Sequence, residues 1–530
     1  MASTDSIVSW LAVGAFSFLA LHISLEKIQA VFRRRNLPPG PPRRLLRDNR
    51  ADVPVSHFWK TFASWHKRYG PVVSFYLGQT LVIGEDSSLK PSDYVKFDNT
   101  IIEVLGTAEA AHDLLDKRGE FYSGRPRQIV GHEILSGGMR GIGMSYGPRY
   151  RRWKSFMQAG LNNTAVLKYR PLQSLECSLL IRDLLNSKAP LEYKAHIRRF
   201  VVSVIFCVGY GRRVKDLSDP VVVKNMEIGE YFIKVHVPGK FLVESWPSLL
   251  YLPRFLQWFR WEPERHRKLD TELYMSLMND VKRQIAENTA QPSMAVHSLA
   301  KQEEFGLSDE EIAYALSAPW AGGVGTTVAA IEVFLLAMIL FPAVQKKAQA
   351  EIDAVGRTPG FEDYEVLPYV QALIKEVTRW RCIAPTGVPH STSQDDVYQG
   401  MFIPKGATVY ANIYAMTTDP EQFPDGDEFR PERFLDNPQL RNYSIPFGFG
   451  RRLCPGQHVA LQTLFISIVR ILWAFEILPG VDDKGEVVIP SPDSFTSGLV
   501  VGPTPFPCRF EPRHSTTVEI VHNEAEGAEI

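Results

Sequence analysis

Phe447-Gly448-Phe449-Gly450-Arg451-Arg452-Leu453-Cys454-Pro455-Gly456 sets one cysteine in a glycine-rich loop, just before a helical pattern read over Leu461 to Ile477. A free thiol titrates at about pH 8.5, so holding it as a thiolate in a part-buried loop takes a bound metal and nearby N–H donors. The flanking residues suit that need. Gly450 and Gly456 let backbone approach a neighbouring group closely, and Pro455 withholds an N–H and fixes φ where a helix is about to begin. Arg452 adds a guanidinium that can face a carboxylate. A lone cysteine would ordinarily read as an inert core residue, and taken alone this one would too.

Working outward, the chain has 530 residues, 45% of them hydrophobic, enough for a large core. No Gly/Ser linker or charge block divides the region after residue 60. The expected organisation is a segment over residues 1–35, a proline-rich hinge over 36–60, one large domain over 61–512 and a polar tail over 513–530. The formal net charge is zero and no basic stripe alternates with aromatics, which excludes a nucleic-acid binder. Five cysteines, at 177, 207, 382, 454 and 508, are odd in number and widely spaced, with no Cys-x-x-Cys pair. A reducing compartment fits them.

Ile7 to Leu25 is mostly apolar and reaches the ~17–25 residues that cross a bilayer. Glu26, Lys27 and Arg33-Arg34-Arg35 follow. The basic cluster favours retention in the cytosol of what comes after, so the segment reads as a single-pass, uncleaved transmembrane anchor with the large domain cytosolic. Leu37-Pro38-Pro39-Gly40-Pro41-Pro42 then acts as a stiff spacer.

Helix dominates the rest: 108–118, 165–185, 196–208, 264–287, 308–340, 343–354 and 369–381 carry helical patterns. Val72 to Leu77 and Thr80 to Ile83, split by Gly78-Gln79, read as a hairpin. Gly84 to Val104 reads as a charged, disordered loop without assigned function, and 398–403 and 408–411 as strands. The fold class expected is mainly α with a small β portion.

The cysteine loop fits Phe-x-x-Gly-x-Arg-x-Cys-x-Gly at all its fixed positions and so resembles the cytochrome P450 superfamily. Other landmarks follow in the family's order over most of residues 37–512. Glu376-Val377-Thr378-Arg379 is similar to the K-helix Glu-x-x-Arg, whose spacing sets carboxylate and guanidinium on one face. Phe429-Arg430-Pro431-Glu432-Arg433-Phe434 resembles the downstream motif that supplies the second arginine of a Glu376–Arg379–Arg433 cluster. The resemblance implies the P450 fold, haem b with Cys454 as its axial thiolate, and a cofactor cradle that includes Phe447, Gly450, Arg452 and Gly456. His390, in Pro389-His390, is placed with it.

Ala321-Gly322-Gly323-Val324-Gly325-Thr326-Thr327 resembles the oxygen-activation segment, which assigns catalytic roles to Gly323, Thr326 and Thr327. The family has an acid just before the first threonine; this chain has Gly325. A water chain in its place is the favoured reading, beside a second carboxylate reaching in, or a rearrangement needing no external protons. The C-helix Trp-x-x-x-Arg, which touches a haem propionate, corresponds to Tyr150 and Lys154. Both keep hydrogen-bonding ability, although lysine gives up the bidentate fork.

What the resemblance implies is a monooxygenase that takes O2 and two electrons and inserts one oxygen into a hydrophobic small molecule. Having no flavin or nicotinamide segment, it would draw electrons from a separate NADPH-cytochrome P450 reductase and sit on the endoplasmic reticulum membrane. Tyr122-Ser123-Gly124-Arg125-Pro126, Pro238-Gly239-Lys240-Phe241 and Pro389-His390 resemble fungal secondary-metabolism enzymes of the O-methylsterigmatocystin oxidoreductase type. Two alternatives are a haem-thiolate isomerase or dehydratase needing no reductase, and a non-catalytic haem-binding module.

Overall fold

The computed structural model describes residues 36–42, 49–81, 95–237, 239–440, 442–482 and 484–529. The apolar anchor over 7–25 and its basic flank lie outside them, as does part of the loop read over 84–104. The longer helices are α1 (Phe58–Tyr69), α2 (Pro148–Leu161), α3 (Arg170–Leu185), α4 (Tyr193–Tyr210), α5 (Pro220–Val235), α6 (Trp261–Ala286), α7 (Asp309–Leu316), α8 (Ala318–Leu340), α9 (Pro342–Asp353), α10 (Pro368–Trp380), α11 (Gln457–Ala474) and α12 (Ser515–Glu529). The strands are β1 (Val72–Leu81), β2 (Val95–Leu105), β3 (His390–Ser391), β4 (Asp396–Tyr398), β5 (Met401–Ile403), β6 (Thr408–Ala411), β7 (Phe475–Pro479) and β8 (Cys508–Pro512).

One helical core holds most of the buried side chains. In the second half of α8, Ile331 and Val333 to Met338 are all at most 1% exposed, packed with residues of α3, α4, α10 and α11. Burial on every side explains why this half of the helix is apolar apart from Glu332, which pairs with Lys194. It is not one piece with α7, as the continuous pattern over 308–340 suggested. Ser317 breaks the run, and Pro319 follows with no N–H to return to the carbonyl a turn back. The start is well specified: Ser308 and Glu311 form a reciprocal capping box, with Asp309 and Glu310 in the positive first turn.

The main sheet runs β1-β2-β6-β3 and corrects two expectations. Gly78-Gln79 is not a turn; β1 continues through it with a register shift at Gln79/Thr80 and pairs antiparallel with β2, Val72 opposite Leu105. Residues 95–104, expected in a loop, are the partner strand, because Ile101, Ile102 and Val104 supply β-branched side chains for a half-buried surface. β2 then lies parallel to β6, Ile102 opposite Thr408. The single strand read over 398–403 is the β4–β5 hairpin, turned at Gln399 and Gly400, both at positive φ, the geometry of a tight two-residue connection.

The proline-rich stretch lies against the sheet edge: the Pro39 carbonyl accepts from Ser74 N–H at 3.0 Å, and a Cβ on Gly40 would sit 1.8 Å from the Ser74 carbonyl oxygen. At the other end, α12 occupies the stretch expected as a polar tail. It buries Ala525 and Ala528 against Leu179 of α3, and Glu524 meets Ser178 at 3.4 Å. Its acidic residues, among them Glu519, Glu526 and Glu529, are why composition alone read it as tail.

Candidate active site

The cysteine loop is set by close backbone approaches. Gly450 has φ +54°, and a Cβ there would come within 2.2 Å of the Leu115 carbonyl oxygen, so only glycine fits. The Cys454 N–H turns back to the Phe447 carbonyl at 2.9 Å, closing the loop on itself. α11 then starts at Gln457, four residues before its apolar pattern does.

Cys177, Cys207, Cys382 and Cys508 are buried, whereas Cys454 is only part-buried. Burial of its sulfur raises the thiol above its ordinary range, opposed by the Gly456 and Gln457 N–H groups directed at it. Two donors, with no carboxylate beside the sulfur among the described residues, suit a metal-bound thiolate, and a bound metal's charge would supply the rest of the deprotonation. Gly456 stays close: a Cβ there would lie 4.0 Å from the sulfur.

Two part-buried cations beside the loop have no protein anion among the described residues. Arg452 donates to the Ser123 carbonyl at 2.7 and 3.0 Å and to Met144, and its guanidinium rests 3.7 Å above the Tyr150 ring. Arg125 donates to the Val388 and Pro389 carbonyls at 2.8 and 2.6 Å, while its Nε is buried with no partner. Burial and the Arg452 charge push Arg125 down to about 9. Trp153, one residue before Lys154, likewise buries an unpartnered indole N–H. A buried cation without an anion is costly unless a ligand brings the anion. A haem, with two carboxylates and an iron that takes a thiolate, fits these groups.

Sequence reasoning passed over Arg125 and Trp153. The signal for Arg125 was Gly124, which bridges Ser391 with N–H···O bonds of 3.0 and 3.1 Å in a space too tight for a side chain, and so pins the following arginine beside β3. His390 lies there too. Its Nδ1–H donates to the Tyr122 carbonyl at 2.7 Å, and burial with the Arg125 charge lowers it to about 3. The Tyr150 hydroxyl and the Lys154 ammonium both donate to the Arg451 carbonyl, at 3.2 and 2.6 Å.

On α8, burial separates two faces. Ala321, Gly322 and Gly325 are exposed within a helix that is otherwise core, and added Cβ atoms on Gly322 and Gly325 would meet nothing within 4 Å. Gly323 belongs to the other face, where a Cβ would come 2.6 Å from Ile205 of α4, so it is a packing glycine. Thr327 is buried at 5%. Thr326 sits at the edge of the open face and donates its hydroxyl to the Gly322 carbonyl at 2.7 Å, leaving its oxygen free to accept.

Behind the loop, Glu376 receives Arg379 Nε at 2.6 Å and Nη2 at 2.8 Å, Arg433 Nε at 3.1 Å and the Arg430 N–H at 2.9 Å. Arg379 and Arg433 spend their other donors on the carbonyls of Pro424, Asp425, Gly426, Glu428 and Thr417. All three side chains are buried, and together they tie α10 to the segment leading into the cysteine loop.

Known proteins identify the family. The cytochrome P450 family model matches residues 93–506. The chain is 38% identical over 528 residues to cytochrome P450 monooxygenase 58 of Postia placenta, covering 96% of each, and 34% identical over 507 residues to cytochrome P450 monooxygenase aneD of Aspergillus aculeatus, covering 94% and 93%. A zebrafish cytochrome P450 structure with abiraterone superposes with a TM-score of 0.65 at 20% identity, over 86% of this chain and 100% of that one, a likeness of fold. Family match, full-length relatives and the shared fold place this chain in the cytochrome P450 family, as an enzyme whose cofactor is haem held by a cysteine thiolate.

Proposed function

We propose that the chain is a membrane-anchored monooxygenase that oxidises a hydrophobic small molecule, a fungal secondary metabolite or xenobiotic, with electrons from NADPH-cytochrome P450 reductase. The observation that carries this reading is Cys454, the part-buried cysteine, receiving two N–H donors beside Arg125 and Arg452, a pair with no anion among the described residues. Cys454 would bind the iron, and Phe447, Gly450 and Gly456 would hold the backbone against the macrocycle. Arg125, Arg452 and Trp153 would meet the propionates. Bound haem supplies the activation of O2 and the oxygen insertion.

The residues of the chain manage protons and access. Thr326 accepts and orders a water on the open face of α8, and Gly325 leaves room for further waters where the family has a carboxylate. Thr327 and Gly323 hold that helix from its buried side. Glu376, Arg379 and Arg433 keep the loop in place. The catalytic domain spans 61–512 in this reading, with the 1–35 anchor in the endoplasmic reticulum membrane, the 36–60 hinge and the 513–530 end around it. Ile233, Val237, Tyr251, Phe255, Trp258 and Trp261 are each at least half exposed between α5 and α6, a surface suited to a lipid interface.

The deciding experiment is expression with the reductase in microsomes, followed by a mass-spectrometric screen of terpenoid, polyketide, indole and fatty-acid substrates. A product one oxygen heavier, formed only with NADPH and O2, is expected. Product formed equally without NADPH would assign an isomerase or dehydratase instead.

A further inference from the structure

Tyr150 and Lys154 lie one helical turn apart on α2, so their side chains leave the same face, and both end on one oxygen, the Arg451 carbonyl. That carbonyl is three residues before Cys454. The local turn uses the Phe449 and Gly450 carbonyls for the Arg452 and Leu453 N–H groups, at 3.2 Å each, but the Cys454 N–H goes to Phe447. The Arg451 carbonyl is thus passed over by the loop's own backbone and taken by two side chains. Arg452, next along, lays its guanidinium 3.7 Å over the Tyr150 ring, so the same tyrosine grips the loop through its face and its hydroxyl. On the far side, the Leu115 carbonyl closes the space at Gly450.

We propose that Tyr150 and Lys154 are positioning residues for the cysteine ligand: they clamp the Arg451 carbonyl and so fix the loop that presents Cys454. This rests on the haem-thiolate reading above. Lysine is better suited to the task than arginine, because its compact ammonium can seat on a single oxygen where a planar fork seeks two. Tyrosine reaches the same atom with a hydroxyl that an indole would lack.

The test uses the haem-loaded protein and two readouts, amide hydrogen exchange over residues 450–456 and the stability of the reduced carbon monoxide complex in mild denaturant. A wild-type protein without the thiolate-type absorption band would defeat the underlying assignment, not this inference. Given that band, Lys154→Met removes a charge-assisted hydrogen bond and should speed both loop exchange and decay of the band by about tenfold. Tyr150→Phe deletes one hydroxyl, keeps the ring beneath Arg452, and should raise both rates less; it decides the matter if Lys154→Met does not fold. Lys154→Arg should restore part of the protection. Faster haem release with unchanged exchange over 450–456 would overturn the proposal in favour of propionate anchoring. Unchanged rates in both variants would also overturn it.

Discussion

Arg379→Ala tests the buried ion cluster most severely. The wild-type guanidinium gives Glu376 two short hydrogen bonds and supplies the Thr417 and Gly426 carbonyls at 2.9 Å each, all out of water. Truncation leaves Glu376 with Arg433 and the Arg430 N–H, and leaves the two carbonyls without that donor. Breaking a buried pair from one side costs ~3–5 kcal/mol, and a domain's whole stability is ~5–15 kcal/mol. At least about a fifth of the margin is lost on this count, and most of it in a domain at the low end of that range. Because the two arginines also serve five backbone carbonyls, an apolar triple replacement would not rescue the fold, unlike ion pairs that satisfy only each other. The assay is the yield of haem-loaded protein together with the denaturant midpoint. Arg283→Ala, which breaks an exposed pair with Asp280, should cost only ~0–1 kcal/mol and serves as the control. An Arg379→Ala protein that loads haem normally and unfolds at the wild-type midpoint would refute the reasoning.

Three further outcomes are expected. Gly450→Ala meets the Leu115 carbonyl at 2.2 Å in a left-handed backbone and should cost more than the ~1–2 kcal/mol of the conformation alone, seen as loss of haem loading. Acid should destabilise the protein through His132 and His390, lowered to about 4 and about 3 mainly by burial. Their folded values lie below the unfolded one, so their contribution is complete above about pH 6.5 and is lost as pH falls through 4 and 3, measurable as a denaturant midpoint against pH; a midpoint flat from pH 7 to pH 4 would contradict this. Arg125→Ala should weaken binding of haem but hardly change binding of haem dimethyl ester, which lacks the carboxylates; equal losses for both would remove the propionate role.

Motif order makes the haem site legible in the sequence. Glu376 and Arg379 meet because a helical turn fixes that relation locally, whereas Arg433 reaches Glu376 from 57 residues along the chain, and only the order of the family's motifs pointed to it. Partnerships across the chain are not legible in the same way. β2 pairs with β1 nearby but also with β6 far along the chain, and its charged neighbours hide a strand. Arg125 depends on Gly124 meeting Ser391, a contact that no local pattern encodes. The break before Pro319 is readable from the missing N–H and is masked by the apolar run on either side. Gly323 shows the same limit: the small residues Ala321, Gly322, Gly323 and Gly325 do not by themselves tell which face opens to a cavity and which meets Ile205.

The central claim is that Cys454 binds the haem iron through its sulfur. Reduced protein under carbon monoxide should show the strongly red-shifted Soret band of a thiolate trans to the gas, and Cys454→Ala should abolish that band while Cys382→Ala leaves it in place. A wild-type band at the position of a neutral or nitrogen ligand, or a Cys454→Ala protein that keeps the thiolate band, would contradict the account.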